Sequence, residues 1–252
     1  MGQGAISVGF GFVAVLVVLA AVAALAALAG RLGVGRGVLT ASVRAVLQLA
    51  AVSLLIAAVL RSWWATAAFI ALMVIVASAT SARRASTIRR GWPVAAPIVA
   101  GALPVGAIIV VSGTMPLTEV AVLPVAGILI GGAMTATSLS GRRALDELRD
   151  RHGEYEAALA LGFLPRDAAL EVCRPTAGLA LTPALDQTRT VGLVTLPGAF
   201  VGVLLGGGSA VQAGATQLLV LVALLAAEAI AAALTVELVA RGVVSREPAA
   251  GR

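Results

Sequence analysis

Long apolar runs, separated by short charged segments, dominate this sequence of 252 residues. A helix needs about 20 mostly apolar residues to cross the ~30 Å hydrocarbon core of a bilayer, and several of the runs approach or exceed that length. Only 12% of the residues are charged, whereas soluble domains carry about 25%. We therefore predict an all-α, polytopic membrane protein that forms a single transmembrane domain over residues 1–252, with seven spans at about 5–29, 43–60, 63–81, 94–111, 120–139, 191–205 and 217–239.

The charges between the runs alternate, and this alternation gives an expected orientation. All eighteen basic residues are Arg, and cytoplasmic loops of membrane proteins carry an excess of basic residues. The odd-numbered loops and the C-terminal tail are basic, whereas the even-numbered loops hold little beyond Arg61 and Glu119. We expect the N-terminus outside, the C-terminus in the cytoplasm and a multi-pass location in the cell inner membrane. The net charge of +6 then reflects topology and not nucleic-acid binding.

The fifth loop, residues 140–190, is the longest and is predicted to fold on the cytoplasmic side. It holds most of the acidic residues of the chain. Gly162 suits a left-handed helix C-cap and Pro165 suits the first turn of a following helix, so the loop is predicted to form a helix, a tight turn and a short helix. The short helix has an apolar face that would fit a groove on a partner protein or lie on the lipid surface; this face consists of Ala168, Ala169 and Val172.

The residues around this turn have a recognisable spacing. Glu156-Ala157-Ala158 is followed after three residues by Gly162, and nine residues later by Val172-x-Arg174-Pro175. This pattern resembles the E-A-A-x3-G-x9-I-x-L-P loop of ABC-transporter permeases, although Arg174 replaces the family's Leu. In that family the loop docks on a separate ATPase, so the resemblance implies an ATPase-coupling role for Glu154, Glu156, Ala157, Ala158, Gly162, Pro165 and Pro175.

The segments that flank the loop narrow the resemblance. Residues 123–134 and 181–198 are similar to those of the iron-export permease family of the FetB type, formerly an uncharacterised membrane family and related to plant aluminium-tolerance permeases. The similarity extends from about residue 44 to residue 240. The family usually has Asn where this chain has Gly132.

The resemblance implies a homodimeric permease subunit that exports iron or another metal ion. A separate ABC ATPase would supply the energy, with ATP and Mg on that partner. The nucleotide chemistry must come from that partner, because a phosphate-binding P-loop needs a Lys and the sequence has none. The resemblance further implies that the chain itself is no enzyme and binds no cofactor. Transport of a non-metal solute, import and a non-transporting membrane scaffold remain alternatives. An intramembrane enzyme is disfavoured, because the sole His, His152, lies in the loop.

Polar and ionisable groups in or beside the spans are candidates for a transport pathway, because they are costly in lipid. Glu228 lies near the middle of the last span, and Asp186 precedes the sixth span. The structural alternatives are a helix-stabilising role for Glu228 and a local ion pair between Asp186 and Arg189. For Glu237 and Cys173 an interfacial carboxylate and a packed thiol are favoured. No spacing typical of a tight metal site is present, and the pathway candidates are Glu228, Glu119, Asp186, Gln48, Met134 and Thr135.

Overall fold

The computed structural model describes residues 9–85 and 92–245, and these residues form helices joined by turns, with no strand among them. The all-α fold class is therefore confirmed. The helices are α1 (Phe10–Ala29), α2 (Gly35–Val59), α3 (Trp63–Ala85), α4 (Ala95–Val111), α5 (Glu119–Asp150), α6 (His152–Ala160), α7 (Pro165–Ala177), α8 (Thr182–Thr190), α9 (Gly198–Leu205) and α10 (Ala210–Ala240). Short 3-10 turns lie at Trp92–Val94 and Gly178–Leu181.

The chain divides into two compact units, Met1–Ser62 and Trp63–Arg252. The first unit contains α1 and α2, which pack against each other. Most of the apolar side chains on these two helices are exposed, which is the surface expected of helices that face lipid. The expectation of one domain over the whole chain stays a prediction.

The core of the second unit is built from small residues where α3, α4, α5 and α10 meet. Ala133 and Ala136 of α5 and Ala227 of α10 have no exposed surface. A Cβ on Gly101 of α4 would lie only 2.4 Å from the carbonyl oxygen of Ala227. Small residues let helix backbones approach this closely in lipid, where packing and not water exclusion holds helices together.

Five helices in the described ranges are long and apolar enough to cross a membrane: α1, α2, α3, α5 and α10. The 17-residue α4 is apolar but shorter. Of the expected sixth span, residues 191–205, only the eight residues Gly198–Leu205 form a helix. Eight residues rise about 12 Å, far short of a bilayer core. The count of seven spans and the orientation remain predictions.

Residues 178–209 nevertheless run beside the first half of α10. Leu181 packs against the core cluster that contains Ala227, near the middle of α10. Ten residues later, Val191 lines a cavity of about 170 Å³ together with Gln217, near the start of α10. Helix α8 therefore lies beside α10, between these two levels. Within a bilayer, irregular backbone is tolerated only where protein or a water-filled cavity surrounds it.

The break before α9 has local causes. Gly192 adopts φ +82°, a conformation that other residues rarely adopt. The backbone N–H groups of Leu193, Val194 and Thr195 all donate to the carbonyl oxygen of Thr190, which folds the segment into a tight turn. Hydropathy alone does not register this turn, because the residues that form it are apolar.

Candidate functional site

The turn between α6 and α7 has the geometry that its sequence predicts. Gly162 adopts φ +90°. Its N–H donates to the carbonyl oxygen of Leu159 (3.0 Å), and the N–H of Phe163 donates to that of Ala158 (3.1 Å). This pair of bonds is the Schellman motif that ends a helix at a glycine. Pro165 then occupies the first turn of α7, so the predicted helix, tight turn and short helix are confirmed.

Helix α6 presents the glutamates of the family-like motif to solvent. Glu154 forms an ion pair with Arg151, which also bonds Glu147. Glu156 lies 3.3 Å from His152, measured from Oε1 to Nε2. Hydrogen bonding to Arg151 lowers the pKa of Glu154, and the two glutamates raise the pKa of Arg151. None of the α6 residues is buried, and Ala157 is exposed, so α6 is free to meet a partner.

The apolar face of α7 packs against its own chain, whereas the sequence predicted contact with a partner protein or with lipid. Ala168, Ala169 and Val172 are all buried, as an apolar face should be. The face packs on the ends of α5 and α10 of the same chain, where Cys173 contacts Ala144, and not on a partner or on lipid. Packing inside the chain is favoured because the ends of α5 and α10 contribute buried apolar residues to this contact, among them Ala144, Val236 and Val239.

The second half of α7 contains Cys173 and Pro175. Cys173 has no exposed surface, its Sγ lies 3.5 Å from the carbonyl oxygen of Ala144, and burial raises the pKa of its thiol to about 11. The expectation of a packed thiol is therefore confirmed. Pro175 does not end the helix, since α7 continues to Ala177 with Pro175 in its last turn.

Three large apolar residues are exposed at the turn itself, and we call them the apolar tip: Leu161, Phe163 and Leu164. Their exposures are 80%, 48% and 68%. They sit on a polar, charged loop, where an exposed apolar cluster indicates a binding surface. These three residues were not predicted as site residues, although the run Leu159-Ala160-Leu161-Gly162-Phe163-Leu164 in a charged loop is a signal for them.

An ionic network joins the beginning of α7 to the end of α10. The Arg166 guanidinium donates to both carboxylate oxygens of Glu237, from Nε at 2.6 Å and from Nη2 at 2.8 Å. Arg241 donates to the same Glu237 Oε1 at 2.6 Å, and Asp167 accepts from Arg166 at 2.8 Å. Hydrogen bonding to Glu237 raises the pKa of Arg166. The interfacial carboxylate expected at Glu237 is therefore a partnered one, which spacing alone did not reveal.

Glu228 lies buried in α10, with 8% of its surface exposed. It reaches Gly132 of α5: a Cβ at residue 132 would lie 2.8 Å from Glu228 Oε1 and 2.2 Å from Leu224 Cδ1. Glycine thus leaves the room that these two side chains fill. Met134, two residues on, packs against the core cluster, and Thr135 is exposed with its hydroxyl donating to the Gly131 carbonyl (3.0 Å).

The remaining pathway candidates lie in separate places. Asp186 on α8 is exposed and forms the expected pair with Arg189, at 3.6 Å. Glu119 is the first residue of α5, where the positive end of the helix dipole stabilises a carboxylate. Gln48 is exposed on α2, in the first unit. In the described ranges no three His, Cys, Asp or Glu side chains are grouped so that they could hold a metal ion.

These features define a class of protein: a multi-pass membrane protein whose fifth helix leads into a helical loop with an exposed apolar tip. The chain belongs to the uncharacterised protein family UPF0014, whose sequence profile matches residues 10–244. The resemblance inferred from the sequence is thereby confirmed.

Several relatives support this assignment. The chain is 34% identical over 209 residues to the UPF0014 membrane protein STAR2 of Oryza sativa subsp. japonica, covering 81% of this chain and 73% of the relative. It is 37% identical over 161 residues to Protein ALUMINUM SENSITIVE 3 of Arabidopsis thaliana, covering 64% and 59%. It is 33% identical over 118 residues to the Probable iron export permease protein FetB of Escherichia coli, covering 45% and 44%. No solved structure matches the chain.

Proposed function

We propose that this chain is the membrane permease subunit of an ABC transporter that exports a metal cation, with iron as the first candidate. The observation that carries the proposal is the α6–α7 loop, whose family-like residues and apolar tip stand exposed while α7 is packed on α5 and α10. Iron is taken from the name of the Escherichia coli relative, Probable iron export permease protein FetB. The chain would be a transport subunit and no enzyme of its own.

The partner in this proposal is an ABC ATPase that binds ATP and Mg. The apolar tip would enter a groove on the ATPase, as short helical elements with apolar anchors commonly do. Glu154 and Glu156 would lie at the rim of this contact, where charges set orientation more than affinity. The packing of α7 supports the proposal, because a tip held rigidly on two long helices can pass a displacement on to them.

The pathway would run along α8 and past Glu228. Asp186, Gln187 and Arg189 are exposed on α8, which lies beside α10 and would share its depth in the bilayer. Charged groups at that depth almost always face a cavity or a protein neighbour, because lipid solvates them poorly. Carboxylate oxygens also suit hard cations. The dispersed carboxylates would give weak sites along a route, which fits a transporter that must release its cargo.

A second copy of the chain would complete the pathway. The polar face of α8 and the turn after it, which presents Leu193 (92% exposed) and Val194 (78% exposed), are exposed among the described residues. Lipid does not suit a surface that combines charged side chains with irregular backbone. A symmetric homodimer would place two such surfaces against each other and enclose an aqueous route between them.

Docking is tested by replacing the apolar tip. A Phe163→Ser/Leu164→Ser variant should weaken co-purification with the ATPase by about tenfold or more, because buried apolar anchors dominate such interfaces. Val243→Ser is the matched control, since Val243 is another exposed apolar residue, just past the end of α10. Equal ATPase recovery for both variants and the unaltered protein would refute docking through this tip.

Transport is tested with inside-out membrane vesicles that contain the chain and its ATPase. Export predicts ATP-dependent accumulation of Fe²⁺ inside these vesicles. Accumulation only in right-side-out vesicles would identify an importer. A complex that hydrolyses ATP but moves no metal cation would point to a non-metal solute, and a chain that binds no ATPase would be a scaffold.

A further inference from the structure

The contact between Arg166 and Glu237 joins the two parts of the molecule that a coupled transporter must connect. Arg166 is the second residue of α7 and lies two residues after Leu164 of the apolar tip. Glu237 lies in the last turn of α10, nine residues after Glu228, or about 13 Å along the helix. The two residues are 71 positions apart in the sequence, so no local pattern brings them together.

The geometry of the pair fixes both the distance and the orientation between the two side chains. Two parallel N–H···O bonds, at 2.6 Å and 2.8 Å, fix the guanidinium in the plane of the carboxylate. Such two-point pairs hold orientation as well as distance, which a single flexible ammonium would not. Asp167 takes the remaining terminal nitrogen of Arg166 at 2.8 Å, which restricts the guanidinium further.

Stability does not account for this arrangement. Glu237 already accepts a bond from Arg241, one turn away on the same helix, so its charge has a partner without Arg166. Helix α7 is already held on α5 and α10 by its buried apolar face, which includes Leu170 and Cys173. Arg166 and Glu237 also retain 44% and 24% exposure, and partly exposed ion pairs contribute little to folding.

We propose that the Arg166–Glu237 pair is the coupling link that transmits movement of the apolar tip to α10 and thereby to Glu228; this rests on the permease function proposed above. The apolar face anchors α7 along its length, whereas Arg166 anchors the end that carries the tip. With that end tied, a displacement of the tip shifts the end of α10. Without it, the turn at Gly162 absorbs the displacement. Arg166 is thus a positioning residue and touches neither cargo nor nucleotide.

The link is tested by comparing Arg166→Ala with Arg241→Ala in proteoliposomes that contain the chain and its ATPase. Both variants remove one arginine from the same Glu237 oxygen, each at 2.6 Å, but only Arg166 reaches it from a different helix. Fe²⁺ transported per ATP hydrolysed should fall by about tenfold in Arg166→Ala, within the usual range of coupling between sites. Arg241→Ala should stay within about twofold of the unaltered protein.

Further readouts separate coupling from folding. Arg166→Ala should keep its yield, its thermal stability and its recovery of ATPase, since the apolar tip and the α7 packing are intact. In an Arg241→Ala background, the exchange Arg166→Glu/Glu237→Arg should restore transport per ATP that either single change removes. Unchanged transport per ATP in Arg166→Ala, or an equal loss in Arg241→Ala, would overturn the link. An unaltered protein that neither recovers the ATPase nor drives Fe²⁺ transport with ATP would instead overturn the permease proposal, and the link with it.

Discussion

At the scale of single residues, Gly132 shows how a missing side chain arranges its neighbours. Leu224 and Glu228 of α10 reach into the space that a side chain on residue 132 would occupy. The family that the sequence resembles usually carries Asn at this position. In this chain, side chains of α10 occupy the space that the Asn would take. The space given up by α5 is filled by α10, and part of it is filled by a carboxylate.

Restoring the family residue should therefore harm this protein. Gly132→Asn must displace Leu224 and Glu228 within a closely packed helix pair, and overpacking of this kind costs about 1–3 kcal/mol. Thermal unfolding in detergent should show the loss, and adding Leu224→Ala should recover part of it. Gly131→Asn is the matched control, because a Cβ at residue 131 meets nothing within 4 Å. An equal drop in melting temperature for both variants would mean that the space beside Gly132 is not limiting.

At the scale of elements, the sequence predicted those parts that depend on local chemistry. The apolar runs predicted the long helices, and Gly162 together with Pro165 predicted the turn of the α6–α7 loop. The pattern of α7 predicted its buried face but not what covers it, because amphipathicity is the same whether a helix meets lipid, a partner or its own chain. The turn at Gly192 was missed because hydropathy counts side chains and ignores backbone conformation. The Arg166–Glu237 pair depends on tertiary structure alone.

The packing of α7 can be followed through the only cysteine of the chain, Cys173. Thiolates are the reactive form, so burial and a pKa of about 11 should keep Cys173 from reacting with a water-soluble maleimide at pH 8. Full modification is expected once the protein is unfolded in detergent. Arg174→Cys in a Cys173→Ala background is the control, because Arg174 is the exposed neighbour on the same helix. Labelling of Cys173 as fast as this control would show that α7 leaves α5 and α10 readily.

At the scale of the whole molecule, the second unit contains a surface that does not suit a monomer in lipid. Helix α8 carries an exposed ion pair, Asp186 with Arg189, beside the long apolar helix α10. The chain then continues through a turn and the eight-residue α9 before α10 begins. A soluble protein could leave such a surface to water, but a membrane protein must cover it with protein or enclose water against it.

Cross-linking between copies tests whether a second chain provides that cover. Leu193 is 92% exposed on the turn after α8, so Leu193→Cys in a Cys173→Ala background should form a covalent dimer with a short bis-maleimide in native membranes. The yield should not change when the membranes are diluted with added lipid, because a stable dimer, unlike random collision, is independent of dilution. Val111→Cys is the matched control, since Val111 is 86% exposed at the end of α4, a different helix. If Leu193→Cys links no better than Val111→Cys, the α8–α9 surface is not the dimer contact, and the route past Asp186 would have to be enclosed within one chain.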